Sequence, residues 1–128
     1  MDKSGLRVLV VDDERLIRWA VGETLTRDGH IVVEASDARS AREVLRTTRQ
    51  PIDAVLLDYR LPDSRDLGLL RDVRQLSPLT AVVMMTAYGE PDMTVDALEL
   101  GAYTVIDKPF ALEQLDSLLR KAAVQAAH

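Results

Sequence analysis

The chain contains no cysteine. Disulfides, thiol nucleophiles and thiolate metal sites are thereby excluded. Histidine occurs only as His30 and as the final residue, His128. Two imidazoles so far apart in sequence give no reason to expect a histidine-based metal centre. Nowhere do about 18 apolar residues run together, so no membrane span is expected. Met1 to Gly5 lead straight into an apolar run and do not read as a signal peptide. Basic residues are in the minority, 16 against 21 acidic ones, for a formal charge of −5. A domain of that sign is not expected to grip a nucleic-acid backbone by itself. Repeats, low-complexity segments and linkers are missing too. The 128 residues therefore read as one domain, 1–128, long enough to bury a core.

What is present is an alternation. Short apolar runs lie at Leu6 to Val11, His30 to Glu34, Asp53 to Asp58, Ala81 to Met85 and Tyr103 to Ile106. Between them apolar residues recur at helical spacing. These are Leu16, Ile17, Ala20, Val21 and Leu25, then Ala38, Ala41, Val44 and Leu45, then Leu67, Leu70, Val73 and Leu76. Met93, Ala97 and Leu98 mark a fourth helix, and Leu112, Leu115, Leu119 and Ala122 a fifth. Ser36 or Asp37 is placed to cap the second helix. Gly29 and Gly101 stop the first and fourth, and Pro51 closes the second. Five strands alternating with five helices imply an α/β doubly wound sandwich with parallel strands and right-handed crossovers. The strands do not alternate in polarity, as expected where both sheet faces are covered.

In such a sheet ligands bind beyond the carboxyl ends of the strands, at a topological switch point. Asp12 and Asp13 follow the first apolar run, Asp58 the third, Thr86 the fourth and Lys108 the fifth. The second run ends in Glu34-Ala35-Ser36 with no such group at its tip, which suits an edge strand and the order 2-1-3-4-5. Asp13 and Asp58 then face each other across the crevice between strands one and three. Carboxylates at about 6 Å and an effective dielectric near 20 repel by roughly 3 kcal/mol per pair. Lys108 offsets part of this, and a hard divalent cation would offset more. With only oxygen ligands at hand, that cation is expected to be Mg2+. A carboxylate nucleophile, a metal, a lysine and a hydroxyl are equipment for accepting a phosphoryl group.

Val10-Val11-Asp12-Asp13-Glu14, Leu56-Leu57-Asp58, Met85-Thr86-Ala87 and Asp107-Lys108-Pro109-Phe110 together resemble the receiver domain of two-component response regulators, in order and over nearly the whole chain. Arg15-Leu16-Ile17-Arg18-Trp19, Arg60 and Lys108-Pro109-Phe110 look most like receivers of sigma-54-type transcription activators. The resemblance implies the flavodoxin-like (βα)5 fold and a cytoplasmic location. It also implies that Asp58 takes a phosphoryl group from a phosphohistidine of a sensor histidine kinase. Asp13 and Asp58 would ligate Mg2+ directly and Asp12 through water, and the backbone carbonyl of Arg60 would complete the site. Lys108 would pair with the phosphoryl oxygens, Thr86 would turn its hydroxyl onto them, and the Lys108-Pro109 bond would be cis. Residues 86 to 106 would be the two-state element controlling an output, transcription above all. A homodimer through helix four, strand five and helix five is also implied. Such a domain is no enzyme beyond its own phosphorylation and autodephosphorylation.

Two positions depart from the family. Val105 stands where an aromatic is usual, with Tyr103 expected on the same face of the strand. Asp66 stands where glycine is usual, which matters if that position needs positive φ. Trp19, Met84 and Met85 read as packing residues, and Tyr88 is open between gating water at the phosphate and plain exposure. Two other functions compete. An aspartate-nucleophile phosphatase of the haloacid-dehalogenase type would carry its nucleophile after the first strand, with a second acid two residues on. A phosphorylation-independent interaction module would have lost one of the site residues, and all are present here. The chain ends in a helix without a stop signal, which favours a piece of a longer regulator.

Overall fold

Each apolar run is a parallel strand, and each helix-period segment lies across the sheet. The computed structural model describes residues 5–87 and 91–127, the side chains of Pro91 and Asp92 aside. In chain order the elements are β1 (Arg7–Val11), α1 (Arg15–Arg27), β2 (Ile31–Ala35), α2 (Ala38–Thr47), β3 (Ala54–Asp58), α3 (Gly68–Leu76), β4 (Ala81–Ala87), α4 (Pro91–Glu99), β5 (Thr104–Lys108) and α5 (Leu115–Ala126). A 3-10 turn, Leu112–Gln114, leads into α5. The sheet order is β2-β1-β3-β4-β5, all parallel. This is the doubly wound α/β fold implied by the alternation.

The pleat divides the core in two. Leu9, Val11, Val55, Leu57, Val82 and Met84 pack with Ala38 and Ala41 of α2, Leu70 and Val73 of α3, and Met93 and Ala97 of α4. Val8, Val10, Leu56, Val83 and Met85 pack on the other face with Val21 and Leu25 of α1 and Leu115 and Leu119 of α5. Both faces of the central strands are thus covered, and β3 is buried along its whole length. Met84 and Met85 are core residues on opposite faces. Asp37 caps α2 by accepting the Ser40 N–H at 2.7 Å. Gly29 and Gly101 follow α1 and α4 with φ of +94° and +105°, a conformation that costs a side-chain-bearing residue about 1–2 kcal/mol.

Several expectations are corrected. Trp19 is 61% exposed. It lies two positions from the buried Val21, about 200° around the helix, on the outward face. Leu16, placed in the periodic set, is exposed as well. Leu76 and Leu98 also face outward. The inward positions of α3 are Leu69, Leu70 and Val73, and Leu98 is turned about 100° from the buried Ala97. α2 ends at Thr47, ahead of Pro51. β4 and β5 run further than their apolar stretches. Pairing continues through Thr86↔Asp107 and Ala87↔Lys108, so Thr86 and Lys108 are strand residues. Tyr103 precedes β5, so the strand period does not apply to it. It packs in the α1/α5-side cluster, whereas Val105 packs on the opposite side. Asp66 needs no special conformation, since no non-glycine residue among those described has positive φ. Its Oδ1 accepts the Gly68 N–H at 2.8 Å.

Candidate functional site

The strand order sets β1 and β3 side by side with β4 and β5 beyond. Parallel strands end on the same edge, so the residues at their carboxyl ends converge there. Asp12 follows β1, Asp58 ends β3 and Lys108 ends β5. The Lys108 Nζ lies 2.8 Å from Asp12 Oδ2, 2.9 Å from Glu14 Oε1 and 3.2 Å from Asp58 Oδ2. The peptide bond from Lys108 to Pro109 is cis.

Asp12 is fully buried. Its Oδ1 accepts the Glu14 N–H at 2.8 Å, and its carbonyl accepts from the Arg18 guanidinium at 2.6 Å. Arg18 also reaches Glu34 at the end of β2 at 3.0 Å. Asp58 is buried as well. Its Oδ1 accepts a long 3.3 Å bond from the Arg60 N–H. Asp58 and Lys108 open onto a cavity of about 470 Å³, walled also by Asp13, Glu14, Arg60, Pro62, Arg65 and Ala87.

Three carboxylates share one ammonium, and the electrostatics reflect it. Burial pushes the Asp58 carboxyl up to about 6, and the Asp12 charge adds to this. Lys108 and the Arg60 N–H pull the other way without prevailing. For Lys108, burial works to lower the pKa. Its close contacts with Asp12 and Glu14 and the charges of Asp58 and Asp12 outweigh that and raise it.

The structure brings Asp12, Asp58 and Lys108 together and places Asp13, exposed, on the wall of the same cavity. Thr86 is buried, with its hydroxyl donating to the Ala87 carbonyl at 3.2 Å. Arg60 lines the cavity and stands 5.7 Å from the Tyr59 ring centroid. Tyr88 lies outside the described residues. Glu14 and Arg65 were not singled out from the sequence. Glu14 continues the acidic run of Asp12 and Asp13, and that adjacency was the available signal. Arg65 lies in the loop after Pro62, and no periodicity marks it.

The donor set fits a hard cation. Carboxylate oxygens of Asp12, Glu14 and Asp58 lie within 4.8 Å of one another. Asp12 Oδ2 is buried and accepts no hydrogen bond, its approach to Lys108 being a charge contact without hydrogen-bond alignment. A carboxylate oxygen so placed, among oxygen donors only, suits Mg2+.

Known proteins resemble the chain over most of its length. The response regulator receiver domain family matches residues 8–120. Response regulator protein PilR of Pseudomonas aeruginosa is 40% identical over 116 residues, covering 91% of this chain and 26% of that protein. Sporulation initiation phosphotransferase F of Bacillus subtilis is 31% identical over 115 residues, covering 90% of this chain and 91% of that protein. The solution structure of the beryllofluoride-activated NtrC4 receiver domain dimer superposes with a TM-score of 0.85 at 29% identity, covering 94% of this chain and 98% of that one. The chain thus spans about a quarter of the length of PilR and nearly all of phosphotransferase F.

Proposed function

The chain belongs to the response regulator receiver domain family of two-component systems, and on that premise we propose that Asp58 accepts a phosphoryl group from a phosphohistidine of a sensor histidine kinase. The observation that carries this reading is the convergence of Asp12, Glu14 and Asp58 on the single ammonium of Lys108 at the mouth of a cavity.

A carboxylate oxygen of Asp58 attacks phosphorus in line. The new O–P bond forms as the N–P bond of the phosphohistidine breaks. The imidazole nitrogen keeps the electron pair and takes a proton from solvent. Mg2+, held by Asp12, Asp13, Asp58 and the Arg60 carbonyl, would spread the charge of the transferring group. Lys108 then trades its contact with Asp58 for the phosphoryl oxygens. The Thr86 hydroxyl leaves the Ala87 carbonyl to donate to them. Added charge and acceptor oxygens reward this rearrangement, and residues 86 to 106 transmit it.

Receiver domains are signalling modules rather than enzymes with a released product of their own, and residues 1–128 form one such unit. Leu16 and Trp19, exposed on α1 close to Glu14, offer an apolar face beside the site for a protein partner. The output is transcription of the sigma-54-activator type, in the cytoplasm, with dimerisation through α4, β5 and α5. That the NtrC4 receiver forms a dimer supports dimerisation as such.

Incubation with acetyl phosphate and Mg2+ tests the reading. The expected result is an added phosphoryl mass that hydroxylamine removes and that Asp58→Asn lacks. No adduct, or one unchanged in Asp58→Asn, contradicts it. Rapid turnover of many phosphomonoesters would point to a phosphatase instead.

A further inference from the structure

One wall of the cavity is a loop, and the loop is fastened to a different helix from the one it leads into. Arg60, Leu61, Pro62 and Arg65 all line the cavity. Directly after Asp58, the Tyr59 N–H donates to the Met85 carbonyl at 2.8 Å. Leu61 is buried, and it exchanges two backbone bonds with Ser64, at 2.9 and 3.2 Å. Those bonds leave Pro62 and Asp63 as the two tip residues of a tight turn. Asp63 does not face empty solvent. Its Oδ1 accepts the Ala38 N–H at 2.8 Å and its Oδ2 accepts the Arg39 N–H at 3.0 Å.

Ala38 and Arg39 open α2, and their N–H groups have no partner within the helix. Asp37 already supplies the local cap, through Ser40. The start of α2 therefore holds two carboxylates, and only one comes from its own sequence. A helix capped by its own Asp37 does not need a second acid from 25 residues away for its existence. The two charge-assisted bonds do something else: they pin the tip of the loop.

We propose that Asp63 is a positioning residue that holds the Arg60 carbonyl and the loop wall of the cavity in register with Asp58 by clamping the turn to the start of α2. This rests on the reading of the cavity as a Mg2+ and phosphoryl site. With β4 holding the loop at Tyr59 and α2 holding it at Asp63, the segment between them, which carries Arg60, is fixed at both ends. Removal of Asp63 frees one end and leaves the fold of the sheet untouched. The affected property is affinity for the metal, since a ligand that must be ordered on binding binds more weakly.

Calorimetric titration of Mg2+ into the metal-free chain tests this with four proteins: parent, Asp63→Ala, Asp63→Asn and Asp37→Ala. Both alanine variants lose a cap of α2 and melt earlier. Asp63→Ala also weakens Mg2+ binding by about tenfold. Asp37→Ala leaves that affinity within about twofold of the parent. Asp63→Asn keeps one acceptor oxygen, so it falls between parent and Asp63→Ala, and it serves in its place should the alanine variant not fold. Equal Mg2+ affinity in the parent and the Asp63 variants overturns the proposal, as does an equal loss in Asp37→Ala. A parent that does not bind Mg2+ overturns the metal reading itself, and the clamp with it.

Discussion

Asp58 is an acid in an environment that disfavours its charge, and this has a measurable consequence. Burial, seconded by Asp12, lifts its pKa from an ordinary 3.8 to about 6 in the metal-free chain. Between these values the folded state holds a proton that the unfolded chain has released, so stability falls as pH rises through the window. Above about pH 6 the penalty is complete, at roughly 3 kcal/mol as an upper bound. Asp58→Asn removes it. In EDTA the variant should be the more stable at about pH 8, and the gap should close towards about pH 4. Urea midpoints at the two pH values check this; an equal gap at both would mean that Asp58 titrates normally. Asp58 and Lys108 were legible as single residues because each follows an apolar run that ends abruptly. Glu14 was not, since the sequence does not say which acid of a run will turn towards a lysine 94 residues away.

At the scale of elements, the helical stops can be tested against each other. Gly29 and Gly101 both have positive φ, but a Cβ at Gly29 would meet nothing within 4 Å. At Gly101 it would come within 2.8 Å of Arg74 Nε. Arg74 in turn donates to the carbonyls of Pro78 and Thr80, at 3.1 Å each, so its displacement has a cost. Gly29→Ala should lose about 1–2 kcal/mol from backbone conformation alone. Gly101→Ala should lose more, and chemical denaturation of both variants decides it. The same scale shows where periodicity misled. Leu16, Trp19, Leu76 and Leu98 are apolar and near helical spacing, yet they face outward. Hydrophobicity marks a candidate face, and the sheet then selects only the residues directly above it. Strand ends escape the sequence pattern for the opposite reason. Thr86 and Lys108 are polar, so they did not look like strand, but backbone pairing is indifferent to the side chain it carries.

For the molecule as a whole, the order β2-β1-β3-β4-β5 was readable from which apolar runs end in chemistry and which does not. That reasoning worked because polar groups at strand ends are placed by the sheet and not by local propensity. The destination of Asp63 was not readable, since a carboxylate capping a helix 25 positions earlier leaves no mark in spacing. The proposed switch also belongs to this scale. Val95 and Leu98 of α4 and Val124 of α5 are exposed apolar residues, and phosphorylation that draws in residues 86 to 106 would reshape the surface around them. Sedimentation velocity with and without beryllofluoride and Mg2+ should show a shift from monomer towards dimer. Val95→Asp should abolish the shift without altering phosphorylation. Identical profiles for the parent in the two conditions would remove dimer control by this route.

Four acids crowd the ends of β1 and β3, and Asp58 alone is proposed to take the phosphoryl group. Borohydride reduction of the acetyl phosphate-treated protein converts an aspartyl phosphate to homoserine, which peptide mass spectrometry can locate. The expected position is 58 alone. Homoserine at 12 or 13, or a stable phosphate on Thr86 with residue 58 unmodified, would contradict the assignment.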